Sequence, residues 1–242
     1  MEYNTHNVEW DTEKIKRFWD HFSVGESEDY FSKVLGGEVL SIALSHVKKI
    51  DPILDYGCGP GYLLDHCIKL GIPCAGADFS PESIQLVKNK FSSSDLFKGG
   101  YVIDGIPISE IKENSFGSVF FLETIEHLRI EERDKVIAEI CRILRPGGHV
   151  IITTQNEENL SKHKTVCPDC GAVFHRMQHM DSFNDKKMNE IMKKNKFTSV
   201  YNRPVNFRKS GVESNLKGLY EHIKDVFGFA TNKKNLIYIG KK

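Results

Sequence analysis

Glu123, Glu126 and His127 occupy the string Glu123-Thr124-Ile125-Glu126-His127, with carboxylates at i and i+3 and an imidazole at i+4. One helical turn there would project all three from one face. Two carboxylates and an imidazole suit a divalent ion such as Mg²⁺, Mn²⁺ or Fe²⁺ better than a structural zinc. A softer set lies downstream, where Cys167-Pro168-Asp169-Cys170-Gly171 forms a C-P-x-C-G knuckle, with His163 at x3 before it and His175 at x4 after it. These ligand types at this spacing fit tetrahedral Zn²⁺. Plain packing and a redox dithiol are the alternatives, although the pair precedes no helix of a thioredoxin-like unit.

Such groups need a scaffold, and Ile53-Leu54-Asp55-Tyr56-Gly57-Cys58-Gly59-Pro60-Gly61-Tyr62 supplies its signature. An apolar run enters an acid and then three glycines at alternate positions. That pattern predicts a buried strand, a tight loop and a helix from Tyr62 to Leu70. Open α/β sheets bind nucleotide-like cofactors at such a loop. Residues 73–78 predict a second strand ending in Asp78, where a ribose-binding carboxylate belongs.

A dinucleotide fingerprint reads G-x-G-x-x-G, whereas this loop reads G-x-G-x-G with Asp55 two residues before it. It resembles motif I of the class I S-adenosyl-L-methionine (SAM) methyltransferases. The resemblance implies that Asp55, Gly57, Cys58, Gly59, Gly61, Asp78, Phe79 and Glu123 contact SAM. It also makes Asp104, at the end of a third strand over 99–104, the candidate for the adenine amino group. Ile143-Leu144-Arg145-Pro146-Gly147-Gly148-His149-Val150-Ile151-Ile152 closely resembles the family's motif before its fifth strand. Gly117 departs from it, standing where methyltransferases usually carry Asp.

The E-x-x-E-H string is similar to that of two metal-dependent groups in this superfamily, which methylate the terminal ribose of small RNAs or ubiquinone precursors. Their likeness implies Glu123, Glu126 and His127 as ligands of a catalytic ion. A further histidine matches His179, ahead of Phe183. In metal-free relatives the same Glu-His shapes the SAM pocket instead. His175 and His179 are spaced i, i+4, so two divisions stay open. Either His163 and His175 complete the zinc and His179 joins the catalytic ion, or His175 and His179 both serve zinc.

The flanking pattern supports an α/β fold: a Rossmann-like seven-stranded methyltransferase sheet with one antiparallel strand, an N-terminal helical cap and a small zinc-knuckle insertion. Residues 1–50 read as the cap and 51–242 as the methyltransferase domain, with the Cys/His insertion at 155–183 over the active site. Val8, Ile15, Phe18, Trp19 and Phe22 fall at helical spacing, as do Val39, Leu40, Ala43, Leu44 and Val47. The aromatics of this cap, residues 25–31 between its helices included, read as packing against the sheet, or as the lid over the substrate pocket that the resemblance implies. Ser80-Pro81 starts a helix, Ser115–Leu122 reads as a central strand, and residues 131–144 as an amphipathic helix. Helix 184–196 and strands 197–207 and 236–239 follow.

The chain has 242 residues, 40% hydrophobic and 27% charged, with a formal net charge of zero. This suits a globule with a sizeable core, and lacks the electrostatic footprint of a nucleic-acid or anionic-membrane partner. No signal peptide or membrane span is evident, so a cytoplasmic protein, monomer or homodimer, is expected. Cys58, Cys67, Cys74 and Cys141 then read as buried small hydrophobes. The expected reaction is methylation of a small hydroxyl- or phosphate-bearing acceptor. RNA ribose methylation and metal-free carbon or nitrogen methylation are the alternatives, and a non-catalytic SAM-binding module is the reading from another class.

Overall fold

The computed structural model describes residues 4–23, 30–207 and 233–242; most of the expected lid segment, residues 25–29, and the side chain of Phe22 lie outside them. The chain begins with β1 (His6–Asn7), α1 (Thr12–Ser23), α2 (Phe31–His46), β2 (Ile53–Tyr56), α3 (Tyr62–Lys69), β3 (Cys74–Asp78) and α4 (Pro81–Phe91). It continues through β4 (Phe97–Val102), β5 (Phe116–Leu122), α5 (Ile130–Ile143) and β6 (Leu144–Gln155). Then come β7 (Lys164–Val166), β8 (Ala172–His175), α6 (Asp185–Lys194), β9 (Thr198–Val205) and β10 (Asn235–Lys241).

Seven strands form one sheet in the order β4-β3-β2-β5-β6-β10-β9. The strands from β4 to β6 run parallel, and β10 is antiparallel to both of its neighbours. Every residue of β2 and β5 is buried, as strands covered on both faces must be. On one face Val136, Ile137, Ile140 and Ile143 of α5 meet Met188 and Met192 of α6. On the other, Val39, Leu40 and Ala43 of α2 pack with Leu63 and Leu64 of α3 and Ile84 and Val87 of α4. Cys58, Cys67 and Cys74 are buried in this layer. The helix starts follow local chemistry, since Ser80 Oγ accepts the Ser83 amide at 3.2 Å and Asn184 Oδ1 accepts that of Lys187 at 2.9 Å.

Gly117 has a steric reason. A Cβ there would lie 2.5 Å from the Asp51 carbonyl oxygen, so no side chain fits at the start of β5.

The N-terminal fifty residues divide in two. Helix α2 is built into the layer beside α3, whereas α1 extends toward the carboxyl end of the sheet. A second, three-stranded sheet in the order β1-β8-β7 ties the N-terminus to the cysteine hairpin, with β1 parallel to β8. Two-residue β1 carries no period that a sequence pattern could register. Among the described residues, no helix is long and apolar enough to cross a membrane.

Candidate active site

The order of the sheet reverses between β2 and β5, and the loops leaving these adjacent strands flank the resulting crevice. After β2 the chain turns at once. The amides of Gly57 and Cys58 both donate to the Ala77 carbonyl, at 2.7 and 3.0 Å. Gly57, Gly59 and Gly61 take φ of 86°, 47° and 79°, backbone that L side chains rarely adopt. Asp78, at the end of β3, pins the loop: Oδ2 accepts the Gly59 amide at 2.8 Å and Oδ1 that of Ser80 at 2.9 Å. Burial raises the Asp78 pKa against these amides. Asp55 is pushed up to about 8 by burial and by the Asp78 charge, and burial also drives the Cys58 thiol up.

A Cβ on Gly59 would lie 2.5 Å from the Tyr30 hydroxyl. Burial raises that phenol's pKa. Gly59→Ala is therefore expected to displace Tyr30 and weaken S-adenosylhomocysteine binding at least about tenfold, a loss of ~1.4 kcal/mol, in calorimetric titration. Unchanged affinity would show that the ligand does not use this loop.

The second loop touches the first, because a Cβ on Gly57 would meet Thr124 Oγ1 at 2.8 Å. Beyond β5 the ladder continues for one residue, through the Glu123 amide to the Thr153 carbonyl at 3.0 Å. Glu123 then takes φ 44°, and residues Ile125–His127 close a single 3₁₀ turn. The turn drives Glu126 inward until it is 1% exposed.

Glu126 and His127 meet His179, with one ligand atom from each within 4.8 Å of the others. Both Glu126 carboxylate oxygens and His127 Nδ1 are buried without a hydrogen-bond partner, as is Glu123 Oε1. Burial, then the Glu123 charge, holds Glu126 well above the ordinary carboxylate range. Burial, aided by His179, pushes His127 down to about 3. A neutral imidazole beside a carboxylate lacking other partners is a fitting donor set for a divalent cation. Glu123 adjoins this group through the Glu126 carboxylate without being one of its three converging ligand atoms. Its left-handed backbone breaks the helical turn that would have aligned it with Glu126.

Three segments hold the cluster together. The Met180 amide donates to the Glu126 carbonyl at 2.8 Å. Gln178 Nε2 donates to the His127 carbonyl at 3.0 Å, and Gln178 Oε1 accepts Trp19 Nε1–H of α1 at 2.9 Å. The Trp19 and His127 ring centroids are 4.6 Å apart, edge to face.

The expected zinc set is not assembled. His175 Nδ1 accepts the amides of Met177 and His179 at 3.3 and 3.1 Å. Its Nε2 faces Glu158 Oε1 at 3.3 Å, and His163 packs edge-on against it at 5.8 Å between centroids. Among the described residues two ligand groups form, Glu126-His127-His179 and Glu158-His175-His179, and neither includes a cysteine. Of the two divisions, the one that gives His179 to the catalytic ion has its Glu126-His127-His179 half grouped, whereas backbone amides occupy Nδ1 of His175 and its Nε2 faces Glu158. Cys167 and Cys170 lie at the hairpin between β7 and β8, half-buried and exposed respectively. The backbone amides of Cys170 and Asp169 hold the Cys167 thiol below its ordinary pKa.

Asp104 lies two residues beyond β4 and is exposed, while Phe79 is half-buried after Asp78. Sequence reasoning missed Glu158, an acid in an irregular stretch with no regular spacing to either histidine that it contacts.

This sheet order, with a glycine loop at the reversal point and an acid ending the second core strand, is the class I SAM-dependent methyltransferase fold. Residues 54–152 match the methyltransferase domain family. Norajmaline N-methyltransferase of Rauvolfia serpentina is 31% identical over 116 residues, covering 47% of this chain and 39% of that enzyme. Ubiquinone biosynthesis O-methyltransferase of Alkalilimnicola ehrlichii is 29% identical over 104 residues, covering 43% of this chain and 41% of that enzyme. The chain thus spans about two fifths of the length of these relatives. Burkholderia thailandensis 1,6-didemethyltoxoflavin-N1-methyltransferase, solved with S-adenosylhomocysteine, superposes with a TM-score of 0.64 at 13% identity over 98% of this chain and 93% of that one. At that identity the likeness shows the fold.

Proposed function

We propose that this chain transfers the SAM methyl group to an oxygen of a small acceptor, with a divalent cation held by Glu126, His127 and His179. The observation that carries this reading is the Glu126 carboxylate, 1% exposed and with neither oxygen hydrogen-bonded, beside two imidazoles. A buried carboxylate without partners is costly, and a cation removes that cost. When bound, such an ion lowers the pKa of a coordinated acceptor hydroxyl.

The remaining roles fall to the chain. The glycine loop and Asp78 orient the sulfonium for in-line displacement, and much of the rate comes from this positioning. The carbon–sulfur bond breaks as the carbon–oxygen bond forms, leaving S-adenosylhomocysteine. Glu123 suits the part of base. It adjoins the cluster, its Oε1 has no partner, and burial raises its proton affinity toward the range a general base needs. Trp19 covers His127 from α1 and excludes water. Zero net charge favours a small acceptor over RNA.

The test is a SAM-consuming assay with diols, catechols and phosphorylated sugars, run in excess EDTA and after Mn²⁺ or Mg²⁺ is restored. Turnover is expected to fall about a hundredfold or more in chelator, ~2.7 kcal/mol of barrier, and to return with the ion. Turnover indifferent to chelator would overturn the metal assignment. It would then favour the nitrogen chemistry named for the Rauvolfia relative.

A further inference from the structure

Glu158 makes no contact that the proposed reaction requires directly, yet its side chain is only 5% exposed. It is aimed inward by a rigid anchor. Strand β6 ends at Gln155, Asn156 bridges to Phe183, and the Glu157 amide donates to the Phe183 carbonyl at 2.7 Å. Glu157 turns the chain at φ 50°. The carboxylate that follows meets two imidazoles at once. His179 Nδ1 lies 2.5 Å from Glu158 Oε2, and His175 Nε2 lies 3.3 Å from Glu158 Oε1.

The protons on these rings can be placed by donor and acceptor type. His175 Nδ1 receives two backbone amides, so it bears a lone pair and the ring proton sits on Nε2, facing Glu158. A carboxylate only accepts, so His179 presents Nδ1–H to the other oxygen. That leaves Nε2 of His179 as a bare lone pair, and His179 is the residue that joins Glu126 and His127. The two imidazoles stack with centroids 4.5 Å apart and planes inclined by 18°, which fixes one ring against the other.

We infer that Glu158 is a positioning residue for the ion site. It accepts from His179 Nδ1–H, with His175 Nε2 facing its other oxygen, locks His179 in the Nδ1–H tautomer and so directs the Nε2 lone pair at Glu126 and His127. Carboxylates behind metal-bound histidines act this way, and losing one costs about 10–100-fold in metal affinity or activity. His179 stands on an irregular segment, and Glu158 fastens it to the end of a core strand. The second ligand group is thus a clamp for the first site, with Glu158 Oε2 taken by the His179 ring proton and Oε1 facing His175.

The inference rests on the metal reading above for its metal readout only, so two measurements are paired. Long-range ¹H–¹⁵N spectra of the metal-free protein report histidine tautomers. The expected result is Nε2–H for His175 and Nδ1–H for His179, with the His179 pattern lost in Glu158→Gln. Glutamine can present its NH₂ to His179 Nδ1, which removes the preference for a proton on that nitrogen. Mn²⁺ titration of the same samples should show one ion per chain, bound about 10–100-fold more weakly in Glu158→Gln. Melting temperature and S-adenosylhomocysteine affinity, read alongside, should stay near wild type, which separates loss of the clamp from loss of the fold. An Nε2–H tautomer at His179, unchanged Mn²⁺ affinity in the variant, or two ions per chain would overturn the clamp. Absence of Mn²⁺ binding in wild type would overturn the metal reading instead, and the tautomers then decide the clamp alone.

Discussion

Glu126→Gln is expected to raise the melting temperature of the metal-free protein while abolishing both its stabilisation by Mn²⁺ and nearly all of its turnover. The two effects share one cause. Burial, with the neighbouring Glu123 charge, holds the Glu126 pKa well above the ordinary carboxylate range. Between the unfolded and folded values the native state binds the extra proton, so stability falls as pH rises through that window. Wild-type protein without metal should therefore be less stable at pH 8 than at pH 5, and the neutral amide should flatten that slope. Each ~1 kcal/mol recovered corresponds to about 2–4 °C for a chain of this size. With Mn²⁺ present the order reverses, because the cation stabilises wild type by mass action and finds no anionic ligand at position 126 in the variant. Turnover should drop about a thousandfold, ~4 kcal/mol of barrier, while S-adenosylhomocysteine affinity stays within about twofold. Thermal scans at the two pH values, with EDTA and with Mn²⁺, check the stability claims. A variant that melts lower than wild type in EDTA, or that still responds to Mn²⁺, would show that Glu126 is satisfied by something other than a cation.

Asp78→Asn should act on the cofactor rather than the ion. Both Asp78 oxygens accept backbone amides, from Gly59 and Ser80. The asparagine amide would turn its NH₂ toward one of these donors, leaving a buried N–H unsatisfied. Hydrogen bonds to charged groups contribute about 1.5–3 kcal/mol each, so a stability loss of about 2–4 kcal/mol is expected, together with a distorted glycine loop. SAM affinity should fall at least a hundredfold, ~2.7 kcal/mol, since the same carboxylate is the proposed ribose ligand. Denaturant unfolding and calorimetry measure the two losses separately. Near-wild-type SAM affinity in a stably folded Asp78→Asn protein would remove Asp78 from the cofactor site.

Much of the site was legible because its signals are local. The glycine spacing matches positive φ at Gly57, Gly59 and Gly61, and Ser80-Pro81 marks a helix start whose cap is present. The continuous apolar runs at Ile53–Tyr56 and Phe116–Leu122 become wholly buried strands. Glu123 shows where local reasoning ends. Its spacing to Glu126 suits an α-helical face, but the chain must first extend the β5 ladder to Thr153. Its helical register with Glu126 is lost in doing so.

The cysteine knuckle meets the same limit of local reasoning, since neither ligand group among the described residues includes a cysteine. Spacing says which residues are near in sequence, and His175 lies close enough to Cys170 to invite a zinc site. The short β1 strand pairs with β8, which ends at His175, and that imidazole faces Glu158. Nothing at Glu158 itself signals this, since no periodicity relates it to His175 or His179.

By itself, then, the sequence determined the doubly wound sheet, the glycine loop with Asp78, and the candidates Glu126, His127 and His179, because each is written in short-range pattern. Tertiary structure alone decided that Glu123 extends the β5 ladder before the turn, that His175 faces Glu158, and that α1 lays Trp19 over His127. Those outcomes depend on which distant segments compete for the same buried hydrogen-bonding atoms, and that competition is settled only when the chain has closed around them.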